Sequence, residues 1–198
     1  MAESIYGNHR REMENVMNII LSSIDELRED MIKEFGSDPV EHCLARIKDE
    51  DSMREKCRRQ NLPETTESAL EQIHDAIGIR VVCAFISDVY SVRDHLRTID
   101  KVEVIEEKDY IKQAKPNGYR SLHMILKYDN KFFVEIQIRT ISMDTWAALE
   151  HHMRYKKKVS KSDALISAEL KRCADELAST DMSMQTIRDL IRSESIDE

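Results

Sequence analysis

Met13, Met17, Ile20, Ile24, Leu27 and Met31 follow one another at alternating intervals of four and three, the spacing that lines one side of an amphipathic helix, and this predicts a helix over residues 8–35. Gly36-Ser37-Asp38-Pro39 is its stop signal. A strand over residues 40–48 is expected next, then a short helix over 51–59 whose start is marked by Asp49 and Asp51 near its positive end. The period then drops to two: Ile79, Val81 and Cys83 alternate with Gly78, Arg80 and Val82, which predicts a half-buried strand over 77–85. Val89, Val92 and Leu96 return to helical spacing over 87–99. Further strands are predicted over 102–110, 121–128 and 131–139, the last two joined by Asp129-Asn130 as a tight hairpin. The sum is an α/β (α+β) chain, a mixed sheet of about five strands flanked by helices.

After the last strand the spacing is helical over 141–155, with Trp146, Leu149 and Met153 on one face and Asp144, His151 and Tyr155 on the opposite one. Beyond the basic link Lys156-Lys157-Lys158, the residues Leu170, Cys173, Leu177, Thr180, Met184, Ile187 and Ile191 fall on a heptad seam. The expected organisation is one domain over 1–198: an N-terminal helical extension at 1–36, a core at 40–158 and C-terminal helices at 162–193, the last suited to self-association.

Composition narrows what such a chain does. With 198 residues, 41% of them hydrophobic, it can bury one substantial core, and 34% charged residues with only 4 Gly and 3 Pro speak for an ordered, helix-rich protein. The opening residues lack a signal peptide's apolar core, and no apolar run approaches the roughly 18 residues of a membrane span, so a cytoplasmic protein with no membrane partner is expected. Cys43, Cys57, Cys83 and Cys173 lie far apart, which suggests neither a zinc site nor a disulfide framework but reduced, mostly buried thiols. A net charge of −8 works against wrapping a long nucleic acid. Positive charge is nonetheless concentrated in two islands, Arg46, Lys48, Arg54, Lys56, Arg58 and Arg59, and again Lys108, Lys112, Lys115 and Arg120, as two phosphate-bearing ligands would require.

Candidate chemistry sits on the strands. Strict alternation in Val134-Glu135-Ile136-Gln137-Ile138-Arg139 puts Glu135, Gln137 and Arg139 on one face, either as the floor of a binding site or as the solvated face of an antiparallel strand. Asp75, just before the strand that carries Arg80, either shares a Mg²⁺ with Glu135 or forms a structural ion pair with Arg80. Arg46, Lys48, Lys56 and Arg59 either surround a triphosphate from two directions or form a solvated charged face. No G-x-x-x-x-G-K-[ST] or G-x-G-x-x-G loop is present, so a nucleotide would be held mainly by side chains. Lys115-Pro116-Asn117-Gly118-Tyr119 is a turn followed by a strand with Ser121 and His123 on the side of Tyr119, a setting for a stacked purine or simply a loop covering a sheet edge. His151 and His152 do not have the arrangement of a metal hydrolase.

Taken in order, ARIKDEDSMREKCRRQ, HDAIGIRVVCAF, KDYIKQAKPNGYRSLH, VEIQIRT and WAALEHHMRYK resemble the RelA/SpoT family, and more closely its small alarmone synthetases, over about residues 40–158. The resemblance implies a nucleotidyltransferase-like sheet and transfer of pyrophosphate from ATP to the ribose 3′-hydroxyl of GTP or GDP. It implies that Arg46, Lys48, Lys56, Arg59 and Arg80 bind ATP, that Asp75 and Glu135 hold Mg²⁺, and that Glu135 draws the proton from the hydroxyl. On the acceptor side it implies stacking by Tyr119 and contacts from Lys112, Lys115, His123 and Gln137. Asp144 stands where the family often has Asn on the guanine-facing helix; an aspartate can still accept from guanine N1 and N2. The link at Asp129-Asn130 is shorter than in many relatives. With no hydrolase motifs before the synthetase motifs, synthesis without degradation is expected, as is a homotetramer assembled through terminal helices. The rival readings are a toxic relative acting on tRNA 3′ ends or adenosine nucleotides, and a non-catalytic guanine-nucleotide sensor.

Overall fold

The computed structural model describes residues 4–154 and 163–194. Helix α1 (Arg10–Phe35) buries Met13, Val16, Ile20 and Ile24 along the expected stripe. It ends at Gly36, whose φ of 68° lets its N–H reach the Ile32 carbonyl, a left-handed cap that only glycine adopts without strain. Strand β1 (Val40–Ile47) leads into α2 (Glu50–Arg59), where the Asp49 carboxylate accepts from the N–H groups of Asp51 and Ser52 at 3.1 Å and so satisfies two donors left open by the helix start. A π turn at Ser68–Gln72, which the sequence pattern does not announce, seats Ala69 and Leu70 in the core.

Strand β2 (Ile77–Cys83), helix α3 (Ile86–Leu96) and strands β3 (Val102–Asp109), β4 (Leu122–Tyr128) and β5 (Phe132–Thr140) complete the sheet. Its order is β1-β2-β5-β4-β3, with β2 and β5 parallel and the other neighbours antiparallel. The β4–β5 turn places Asp129 and Asn130 at φ 50° and 52°, the geometry whose twist matches a hairpin. On one face, Ile77, Ile79, Val81, Leu122, Met124, Leu126, Val134, Ile136 and Ile138 form the main core with α1 and α3. The other face is left to polar side chains, and α4 (Ile141–Arg154) with α5 (Asp163–Glu194) closes one end of it through a smaller apolar cluster of Trp146, Leu170 and Ala174. No helix among the described residues is long and apolar enough to cross a membrane.

Three expectations need correction. In α4 only Trp146 of the expected face is buried, while Leu149 and Met153 are 55% and 44% exposed; Trp146 is held because its Nε1 donates to the Leu170 carbonyl at 2.8 Å, an anchor its two neighbours lack. Tyr155 and the basic link at 156–158 lie outside the described residues. The C-terminal segment is one helix rather than several, and most of its heptad seam is left uncovered within the chain. Leu170 is buried, but Cys173, Thr180, Met184, Ile187 and Ile191 are exposed. The rotation of α5 is set instead by polar contacts: Gln185 accepts from the Ser87 N–H at 3.0 Å, and Arg188 is paired at 2.7 Å with the buried carboxylate of Asp88. Removing one partner of such a pair is costly, so this contact dictates which side of α5 turns inward. Finally, of the four free thiols Cys57 and Cys83 are buried, Cys43 is half-buried and Cys173 is exposed.

Candidate active site

The open face of the sheet carries two rows of residues fixed by strand register. One row reads Leu44, Arg80, Gln137, His123 and Lys108 across β1, β2, β5, β4 and β3, and the next reads Arg46, Gly78, Glu135, Ile125 and Glu106. Leu44, Arg46, Lys48, Asp75, Gly78, Arg80, Glu135 and Gln137 line a cleft of about 390 Å³ over these rows. The alternation of β5 therefore does build a floor, with Val134, Ile136 and Ile138 pointing into the core beneath it.

At the β1 end the charge is positive. Lys48 and Lys56 both donate to Asp75 Oδ2, at 2.9 and 2.6 Å. Burial works to raise the Asp75 pKa, but the two lysine hydrogen bonds outweigh it and hold the carboxyl below its ordinary value. Its second oxygen, Oδ1, is buried with no hydrogen-bond partner among the described residues, and such a buried polar atom calls for an explanation in strain, catalysis, water or an ion. The structural alternative of an Asp75–Arg80 pair is not found: Arg80 is 3.4 Å from Asp144 instead. Arg46 is exposed, and neither it nor Arg59, one turn beyond Lys56 on α2, has an ion-pair partner among the described residues.

At the other end the side chains are knitted together by Arg139, which is only 5% exposed. Its Nη2 donates to the Tyr119 hydroxyl at 2.7 Å and to Gln137 Oε1 at 2.6 Å. Its Nη1 reaches Asp144 at 3.1 Å, and the guanidinium lies 5.2 Å from the centre of the Tyr119 ring. Tyr119 is also 2.8 Å from His123 Nε2. Burial, then the charges of Arg139, Lys115 and Lys108, push the His123 imidazole down to about 4, so it is neutral at physiological pH. The Tyr119 hydroxyl is thus shared between Arg139 and the neutral His123 ring. Lys115 sits between Tyr110 and Tyr119, at 4.5 and 5.0 Å from their ring centres.

Arg46, Lys48, Asp75, Arg80, Glu135 and Gln137 line the cleft, and Lys56 and Asp144 meet it through Asp75 and Arg80. Tyr119, His123 and Lys115 gather around Arg139 beside it, whereas three residues stay apart. Lys112 is directed to Asp109 at 3.4 Å and to the Tyr90 ring at 5.0 Å rather than to the floor. Arg59 is not among the residues lining the cleft. Ser121 is buried and donates to the Ile138 carbonyl at 3.1 Å, so it ties β4 to β5 instead of facing a ligand. The organising role of Arg139 and the second ring, Tyr110, escaped sequence reasoning. The only signal for Arg139 was its third place in the alternating polar row, since its burial depends on α4.

Fold and cleft together define a mixed sheet whose open face carries a cleft lined by Arg46, Lys48, Asp75, Arg80 and Glu135. The region found in RelA / SpoT proteins matches residues 45–160, and the chain belongs to the RelA/SpoT family. It is 43% identical over 128 residues to the GTP pyrophosphokinase YwaC of Bacillus subtilis, a match covering 61% of each chain. It is 32% identical over 157 residues to the GTP pyrophosphokinase YjbM of the same organism, covering 76% of this chain and 72% of that one. Among solved structures, small alarmone synthetase 1 from Bacillus subtilis bound to its product pppGpp superposes with a TM-score of 0.76 at 27% identity, covering 92% of this chain and 94% of the other.

Proposed function

We propose that the chain is a GTP pyrophosphokinase: it transfers the β,γ-pyrophosphoryl group of ATP to the ribose 3′-hydroxyl of GTP or GDP, forming pppGpp or ppGpp and AMP. The observation that carries this reading is a cleft that is cationic around Asp75 and has Glu135 and Gln137 on its floor, with Gln137 tied through Arg139 to the neighbouring aromatic cluster of Tyr119 and His123. Arg46, Lys48, Lys56, Arg59 and Arg80 serve the triphosphate of ATP. Tyr119 supplies a face for the guanine, and Lys115, His123, Gln137 and Asp144 contact the acceptor, with Lys112 reaching it by leaving Asp109. The acceptor oxygen attacks the β-phosphorus, the bond from that phosphorus to the α–β bridging oxygen breaks, AMP departs with the bridging oxygen, and Glu135 takes the hydroxyl proton. Positioning and charge stabilisation do most of the work, because phosphoryl-type transfer asks little covalent chemistry of the protein.

Asp75 and Glu135 are the residues that would hold a Mg²⁺. The bare Asp75 Oδ1 fits that role. No group of three or more metal-ligating side chains occurs among the described residues, and Mg²⁺ commonly takes one or two carboxylates and completes its shell with phosphate oxygens and water. Bound there, it would neutralise charge on the ATP phosphates. The substrates are cytoplasmic nucleotides, so the cytoplasm is the compartment this reading implies.

A homo-oligomer, of four chains by family analogy, is part of the same reading, supported by the exposed Met184, Ile187 and Ile191 on α5. The activity is tested by offering γ-labelled ATP with GTP, GDP, ATP or deacylated tRNA in turn. Label in a guanosine tetra- or pentaphosphate supports the assignment, label in adenosine nucleotides or tRNA replaces it with the toxic-relative reading, and no transfer to any acceptor leaves a nucleotide sensor.

A further inference from the structure

Gly78 lies in the middle of β2, flanked in register by Arg46 on β1 and Glu135 on β5. Glycine in a strand interior is destabilising relative to alanine, and it usually marks an irregular backbone or the close approach of another group. The backbone does not require it. The pairing of β2 with β5 runs without a register shift from Ile77 to Cys83, and that of β2 with β1 is regular around Gly78. Gly7, Gly36 and Gly118 all have positive φ, whereas Gly78 does not. Nor does packing require it: a Cβ there would meet nothing nearer than the Arg46 carbonyl oxygen at 4.0 Å, an ordinary contact. By contrast, a Cβ on Gly118 would lie 2.7 Å from that of Ala174. With both internal explanations removed, the remaining one is the cleft itself, whose floor includes Gly78.

Resting on the donor and acceptor assignment above, we infer that Gly78 is the seat of the transferring pyrophosphoryl group. Its bare Cα keeps a gap in the floor between the cation of Arg46 and the carboxylate of Glu135. A side chain at this one position would lift the donor phosphates away from Glu135 and from the attacking hydroxyl. The neighbouring row has no such gap, because Leu44, Arg80 and Gln137 fill it. Gly78 therefore permits close approach along the reaction coordinate and leaves the acceptor's aromatic end untouched.

The test uses the full chain with Gly78→Ala and Gly78→Val. Thermal melting of Gly78→Ala should be unchanged or higher, since the space is open and the strand is favoured. Its kcat/KM for ATP should fall roughly tenfold and that of Gly78→Val roughly 100-fold, the scale of a misplacement of about 1 Å at a reacting centre, while KM for GTP stays within about twofold. A nonhydrolysable ATP analogue with Mg²⁺ and no acceptor provides a second reading, and its affinity should fall in the same order, wild type above alanine above valine. If the wild-type chain makes no alarmone, the pyrophosphokinase reading falls, while a graded loss of analogue binding still upholds Gly78 as the seat of the ATP phosphates. Full activity and full analogue affinity in Gly78→Ala overturn it. So does a lowered melting temperature in that variant, which would show that the fold needed the glycine after all.

Discussion

Replacing Arg139 by glutamine removes a buried cation whose fork holds Tyr119, Gln137 and Asp144 at 2.7, 2.6 and 3.1 Å. Sequence alone places it on one strand face with Glu135 and Gln137; the structure makes it the organiser of the cluster around Tyr119. Breaking a buried pair from one side costs about 3–5 kcal/mol. Asp144 keeps Arg80 at 3.4 Å, so the expected loss of stability lies near the lower end, about 3 kcal/mol. Each charge-assisted hydrogen bond lost from Tyr119 or Gln137 is worth about 1.5–3 kcal/mol, and losing the equivalent of one in the bound state raises KM for GTP roughly 10- to 100-fold. ATP-analogue affinity should change by less than about threefold. Urea unfolding and initial rates with each nucleotide varied in turn measure both effects. Arg139→Lys restores charge without the planar fork and should recover stability better than KM. A folded Arg139→Gln protein with wild-type KM for GTP would refute the idea that this guanidinium sets the acceptor site.

Three further outcomes are expected. Glu135→Gln keeps shape while removing the charge, and the synthesis rate should fall at least roughly 10²–10⁴-fold, the contribution of a general base alone, with far-UV circular dichroism unchanged; near-normal rates would move catalysis elsewhere. His123 should titrate near 4 by NMR, and because the unfolded chain protonates first, stability should fall as pH drops from about 6.5 to 4 by at most about 3 kcal/mol, an acid limb that His123→Gln should flatten. Light scattering at micromolar concentration should show an oligomer that Ile187→Glu, on the exposed side of α5, dissociates; a wild-type monomer would remove the assembly claim.

What could be read from the sequence was what depends on local period. The stripe of α1, the alternation in β5 and the Asp129-Asn130 turn are each decided by residues close in the chain, and each forms as expected. What could not be read depends on distant partners. Asp75 is claimed by lysines 27 and 19 residues away rather than by the nearby Arg80. The contact that docks α5, between Arg188 and Asp88, joins residues 100 apart, so which seam residues the rest of the chain covers was not legible from periodicity. Arg139 looked like a surface residue because a strand pattern reports which side a residue faces but not whether a later helix covers that side. Gly78 was legible only as a position on the open side of an alternating strand, and its place between Arg46 and Glu135 depends on the pairing of three strands.

The central claim is that a diphosphate unit moves intact from ATP to a guanosine 3′-oxygen in this cleft. Parallel reactions with GTP and ATP labelled at the α-, β- or γ-phosphate, resolved by chromatography, test it most directly. The account predicts that β and γ label both appear in the pentaphosphate product, that α label appears only in AMP, and that the two products form in equal amounts. Transfer of γ label alone with ADP as the co-product, or release of AMP without a guanosine product, would contradict it.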